Sequence, residues 1–177
     1  MVGIQTTKIY WTMMKPWNNR SDIEASLFNP AFCGELIRHT VIAYNKTVNS
    51  GSFPYVMSYL VLPFLLNSEI SGQIPRTTRT GLVPWLYANR HIMPIIAEKA
   101  KEMKDYTNES LLMYVSQNLL QINDKGEIEI GSKQFLRKRN FIRNDVDYLK
   151  SRANMLGVWL GKAGDVATIF SLIGITI

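Results

Sequence analysis

Residues Thr107 to Gly131 read TNESLLMYVSQNLLQINDKGEIEIG, and the spacing of their apolar residues changes partway along. Leu111, Leu112, Val115, Leu119 and Leu120 recur every three or four residues, which places them on one side of a helix. From Leu120 onward the period is two. Leu120 and Ile122, then Ile128 and Ile130 interleaved with Glu127 and Glu129, alternate as the strands of a half-buried hairpin do. Asn123-Asp124-Lys125-Gly126 lies between them, and Asp and Gly tolerate the positive φ such a turn needs. A helix running at once into a hairpin is the core of a winged-helix unit, a module that binds nucleic acid or docks on another protein. The same pattern also fits a helix and hairpin with only a structural role, and fold alone does not choose between them.

Upstream, Ser21 with Glu24 three residues on predicts a capping box and a short helix ending by Phe28. Asn29-Pro30 predicts a second start, with Asn as cap and Pro at the first helical position, where its missing N–H costs nothing. Phe32, Cys33, Leu36, Ile37, Thr40, Val41 and Tyr44 form the apolar side of that helix, which ends in Asn49-Ser50-Gly51. Pro54 opens the run PYVMSYLVLPFLLN, apolar nearly all round and so a central buried helix, bent or broken near Pro63. Ser68 to Thr80 reads as a polar loop or short helix start. It offers Arg76 and Arg79 either to an anion or merely to solvent on a surface connection. Thr80 is placed to cap a short helix over Leu82 to Tyr87, and Pro94 starts another through Ile95, Ile96, Ala100 and Met103. After the hairpin come a basic segment, a helix from about Asp145 to Leu160, and a last helix over Val166 to Leu172 capped by Asp165. Before all of these, Ile9-Tyr10-Trp11 reads as a short strand.

The expected fold is therefore mainly α with a small β-hairpin (α+β), a helical domain carrying a winged-helix-like unit. A chain of 177 residues supports one good core, so residues 1–177 are read as one compact domain. Its parts are an N-terminal segment (1–20), a helical lobe (21–104), the helix plus hairpin wing (105–131), and the basic segment with C-terminal helices (132–177). Apolar residues at 46% with charged residues at 19% argue against disorder. Four Trp, eight Tyr and seven Phe fill most of that core and leave some aromatics to face partners. The single cysteine, Cys33, excludes an internal disulfide framework, fits a reducing, cytoplasmic setting, and predicts a buried inert thiol. No secretory signal opens the chain, and the longest apolar run, Tyr55 to Leu66, is too short to span a bilayer, so no membrane partner is expected.

Net charge is +6. Lys133, Arg137, Lys138, Arg139, Arg143, Lys150, Arg152 and Lys162, against Asp145 and Asp147, account for all of it within one C-terminal stretch. Such a stripe suits a phosphate backbone, an acidic protein face, or plain solvation. Catalytic signatures are missing: there is no GxxxxGK[ST], no GxGxxG and no Gly-x-Ser-x-Gly. His39 and His91 stand alone without metal spacing, and the few acids do not cluster as a nuclease needs. The residues thus describe a binding or assembly subunit with no cofactor, not an enzyme. A free-standing winged-helix DNA-binding transcriptional regulator is the alternative. The helix before the hairpin offers Gln117, Asn118 and Gln121 to base edges, but positive charge there is scarce.

Several segments carry a family resemblance. Asn19-Arg20 followed by Leu27-Phe28-Asn29-Pro30-Ala31-Phe32-Cys33, the block Tyr59-Leu60-Val61-Leu62-Pro63, and Thr80 with Trp85 occur in order. The ending RANMLGVWLGKAGDVATIFSLIGI, Arg152 to Ile175, follows with Gly157, Trp159, Gly164 and Phe170 in place. Together they resemble the middle component of three-component ABC (ABC-3C) bacterial defence systems, specifically the Lamassu-type accessory subunit. Asn67 stands where the family pattern has a histidine, and Glu69 to Ile74 departs from it as well. The resemblance implies a subunit without catalytic activity, partnered with a structural-maintenance-of-chromosomes-like (SMC-like) ABC ATPase and an effector, commonly a nuclease. DNA contact would come through the complex. On this view Arg137, Lys138, Arg139 and Arg143, with Arg76 and Arg79, face DNA or the ATPase. Asn29, Pro30, Phe32, Trp85 and Trp159 serve structure or the interface.

Overall fold

The computed structural model describes residues 19–133 and 144–175. Ser21 Oγ accepts from the Glu24 amide at 3.2 Å and starts α1, Asp22–Leu27. Asn29 Oδ1 accepts from the Ala31 amide at 2.9 Å, and with Pro30 at the first position it starts α2, Pro30–Thr47. α2 is the axis of the fold. It packs along α8 (Asn144–Gly161) and α7 (Lys104–Ser116), burying Cys33, Leu36, Ile37, Thr40, Val41 and Tyr44. Thr40 sits among apolar neighbours because its hydroxyl is already spent on the Leu36 carbonyl at 3.0 Å.

The contact of α2 with α8 depends on Gly157. A methyl group at that position would lie 2.2 Å from the Thr40 carbonyl oxygen and 2.8 Å from Ala43 Cβ, so only hydrogen lets the two backbones approach. Asp165 Oδ2 accepts from the Thr168 amide at 3.0 Å to cap α9, Val166–Ile173, which Gly174 closes in the left-handed region at φ +83.

After α2 come the two-residue strand β1, Phe53–Pro54, a 3-10 turn at Tyr55–Met57, and α3, Ser58–Leu66. Leu60 to Leu65 are all buried. The helix does not break at Pro63 but runs three residues further, because the ring removes only the bond to the Tyr59 carbonyl in the last turns. The polar stretch that follows is not only loop: Asn67 Oδ1 accepts from the Ile70 amide at 3.0 Å and starts α4, Ser68–Gln73. α5, Leu82–Ala88, begins at Gly81 without a side-chain cap, one residue later than a Thr80 cap would place it. α6, Met93–Glu102, leads into α7 through Met103.

β2, Leu120–Ile122, and β3, Glu127–Ile130, form the hairpin, with Gly126 at φ +72 in its turn. β1 adds antiparallel to β3, giving a small sheet in the order β1-β3-β2 with Phe53 opposite Ile128 and Leu120 opposite Ile130. The face of α7 is not the one its leucines predict. Thr107, Ser110, Leu111 and Tyr114 are buried, whereas Leu112 is 53% exposed. The hydroxyls of Thr107 and Ser110 donate to the carbonyls of Met103 and Tyr106, so these residues bury at little cost and set the face. One hydrophobic core, from Cys33 on α2 to Ile173 on α9, joins the helices and the sheet. Among the described residues no single helix is long and apolar enough to cross a membrane.

Candidate functional site

The indole N–H of Trp159 on α8 donates to the Thr80 carbonyl at 2.7 Å. Its ring meets Trp85 of α5 at 5.1 Å between centroids and Phe64 of α3 at 6.5 Å, both edge-on. Trp85 in turn donates its indole N–H to the Gln73 carbonyl at 3.2 Å. One helical stretch back on α8, Arg152 is only 9% exposed and gives Nη2 to the Ile74 carbonyl at 3.1 Å and Nη1 to the Pro75 carbonyl at 3.0 Å. A buried guanidinium is costly unless its donors are used, and here they are used on a loop backbone. Three side chains thus hold residues 73–80 by four of their carbonyl oxygens.

Arg152 therefore leaves the basic stripe that charge counting assigns to the surface. It lies four residues before Leu156 and seven before Trp159, on the apolar face of α8, and that spacing is the signal charge counting overlooks. Lys150 pairs with Glu35 at 3.6 Å. Arg137, Lys138, Arg139 and Arg143 lie outside the described residues, as does Ile9-Tyr10-Trp11. Arg76 and Arg79 project from the held loop and are exposed, without an ion-pair partner among the described residues. His91 pairs with the Gln73 side chain at 3.1 Å, and the neighbouring Arg90 lies over the ring of Tyr87, itself 50% exposed. Gln73 therefore ties the start of the loop to the 3-10 turn Arg90–Ile92.

The opposite end is closed by a different clamp. Arg20 makes two 3.0 Å bonds to the Glu109 carboxylate with its side chain 3% exposed, and its guanidinium lies over Tyr106. Tyr106 donates its hydroxyl to Glu24 and stacks on Phe28 at 4.2 Å. Burial, then the bond to Glu24, pushes that phenol up to about 12. Beside this clamp Ile23, Leu27, Asn29, Phe32, Val146 and Leu149 line an open groove of about 580 Å³, and Ile23 is 78% exposed.

Glu35 has partners on its own helix and on α8. Glu35 on α2 contacts His39 at 3.2 Å and Lys150 at 3.6 Å. Burial alone would raise its pKa, but the His39 bond and the charges of His39, Lys150 and Arg38 bring it below the usual carboxylate value. Cys33 is fully buried, and desolvation pushes its thiol up to about 12, which makes it a poor nucleophile. Among the described residues no three His, Cys, Asp or Glu side chains gather to hold a metal ion.

The helix–hairpin unit presents a third kind of surface. Leu112 (53%), Met113 (38%) and Ile122 (46%) are exposed, Gln117, Asn118 and Gln121 are exposed beside them in sequence, and β2 is an edge strand. From Ser110 to Asp124 there is no Lys or Arg.

Fold and site together define a mainly helical protein with a small antiparallel sheet, in which Arg20–Glu109, Tyr106–Glu24 and Lys150–Glu35 tie separate segments together. A family model described as ABC-three component (ABC-3C) system Middle Component 3 matches residues 17–177. The chain belongs to that family and is a middle component of an ABC-3C system. No curated protein and no solved structure gives a significant match. The residues quoted above for the resemblance have visible structural work. Arg20 clamps α1 to α7, Asn29 and Pro30 start α2, and Thr80, Trp85 and Trp159 meet in one cluster. Phe32, half-buried, packs at the core's edge in the groove.

Proposed function

We propose that this chain is the non-catalytic accessory subunit of a Lamassu-type antiphage or anti-plasmid defence complex, bridging an SMC-like ABC ATPase to an effector that is a nuclease. The observation that carries this reading is the family match over residues 17–177, which makes the chain one component of a multi-component system. The geometry is consistent with a docking role. Arg20, Glu109, Glu35 and His39 are spent on internal pairs, while an apolar groove, an apolar helix–hairpin face and an arginine-bearing loop remain outside. The helix–hairpin with its added strand β1 functions, in this reading, as a winged-helix-like unit turned to protein. A recognition helix for DNA needs cations to reach phosphate, and Ser110 to Asp124 offers none. DNA contact by the complex falls instead to Arg137, Lys138, Arg139 and Arg143.

The test uses cells carrying the whole operon, with this gene intact or deleted, challenged by phage and by plasmid. Protection should vanish on deletion, and the purified chain alone should hydrolyse neither ATP nor DNA. Hydrolysis by the purified chain, or undiminished protection without it, contradicts the proposal.

A further inference from the structure

We infer that the loop held by Trp159, Trp85 and Arg152, with the adjoining turn at Arg90, is a preformed docking surface for an acidic face of a protein partner. From Ile70 to Ala97 the chain carries Arg76, Arg79, Arg90 and His91 and not a single Asp or Glu. The rest of this positive segment is neutral or apolar, and all three permanent cations are arginine, none lysine. Arginine and tyrosine are enriched and lysine depleted where proteins meet, so Arg76, Arg79 and the Arg90–Tyr87 pair match a protein interface better than a general polyanion site.

The backbone supports this. A surface loop normally loses conformational entropy when it binds. Here that cost has been met within the fold, because the carbonyls of Gln73, Ile74, Pro75 and Thr80 all point to buried donors. Inward carbonyls leave the intervening side chains outside, and Arg76 and Arg79 are exposed. Gln73 joins this loop to the 3-10 turn through His91, so Arg90 belongs to the same end of the molecule. Burying Arg152, a charge, to fasten a loop that touches nothing would be a poor arrangement; fastening one whose geometry a partner must read is a reason to keep it.

This rests on the reading of the chain as an accessory subunit, and the experiment separates the two. The full chain is co-expressed with the ATPase and effector of its own system, and affinity for each is measured across a range of salt. The triple variant Arg76→Gln, Arg79→Gln, Arg90→Gln is compared with Lys46→Gln, Lys101→Gln, Lys104→Gln, which removes the same charge from other exposed positions. The arginine variant should bind one partner at least about tenfold more weakly and with a flatter salt dependence, the lysine variant less than about twofold. Tryptophan fluorescence, measured with Trp11 and Trp17 replaced by Phe so that Trp85 and Trp159 report alone, checks that the loop is still held. Equal affinity of the two variants for both partners overturns the inference while leaving the subunit reading intact. Unchanged protein assembly with lost binding of a short duplex DNA by the complex overturns it in favour of nucleic acid. If the unmodified chain binds neither partner, the subunit reading itself has failed.

Discussion

Around Trp159 a methyl group has no room at Gly157, the indole N–H has a carbonyl partner, and even an arginine is enclosed with its donors used. On the helix–hairpin unit the strands are three and four residues long, one lies at an edge, and Leu112, Met113 and Ile122 face solvent. The first region spends its chemistry inward and the second leaves apolar surface outward. Thr80, Trp85, Gly157 and Trp159, quoted above for the family resemblance, lie in the first region and serve its packing.

The largest effect expected from breaking this contrast is at Trp159. Trp159→Ala removes a fully buried ring and strands the Thr80 carbonyl, and should cost about 3–5 kcal/mol in chemical denaturation. A loss under about 1 kcal/mol would mean the cluster is not the keystone described.

Gly157→Ala comes next. With a Cβ 2.2 Å from the Thr40 oxygen, α2 and α8 must separate, at about 1–3 kcal/mol by the same assay. Gly72→Ala, in α4 with nothing within 4 Å, should be neutral or stabilise by up to about 1 kcal/mol. Equal losses at the two glycines would remove the argument from close approach.

Acid should weaken the α2–α8 junction. The folded-state pKa of Glu35 lies below its unfolded value of 4.5, so the native state holds fewer protons there. The stabilisation is complete above that value and is lost as pH falls through the depressed pKa. Thermal melts of Glu35→Gln should therefore show a flatter acid limb than the parent chain. Parallel limbs would exclude Glu35 as a contributor.

The smallest stability effect belongs to the helix–hairpin surface. Leu112→Ser with Ile122→Ser should change stability by less than about 0.5 kcal/mol, since neither side chain is in the core. If that face docks, the pair should still weaken retention of a partner in tagged purification. A large destabilisation would show that these residues are packed after all.

Much of this fold is legible in the residues. Ser21, Asn29 and Asp165 announce three helix starts, and Asn123 to Gly126 announces the hairpin, because caps and turns are set by local chemistry. What escapes is set by tertiary partners. β1 has two residues and exists only because β3 lies beside it. The face of α7 follows Thr107 and Ser110, polar by name but satisfied within their own helix. Arg152 counts as surface charge until the loop carbonyls that hold it are known. Arg76 and Arg79 are visible as cations, but the fastening that fixes their loop comes from α8, more than seventy residues away.

The bridging claim is tested most directly by expressing the ATPase and effector of the system with and without this chain and recording native masses. The account predicts one assembly holding all three components when the chain is present, and separate ATPase and effector when it is absent. An ATPase–effector assembly of undiminished stability without the chain would contradict it.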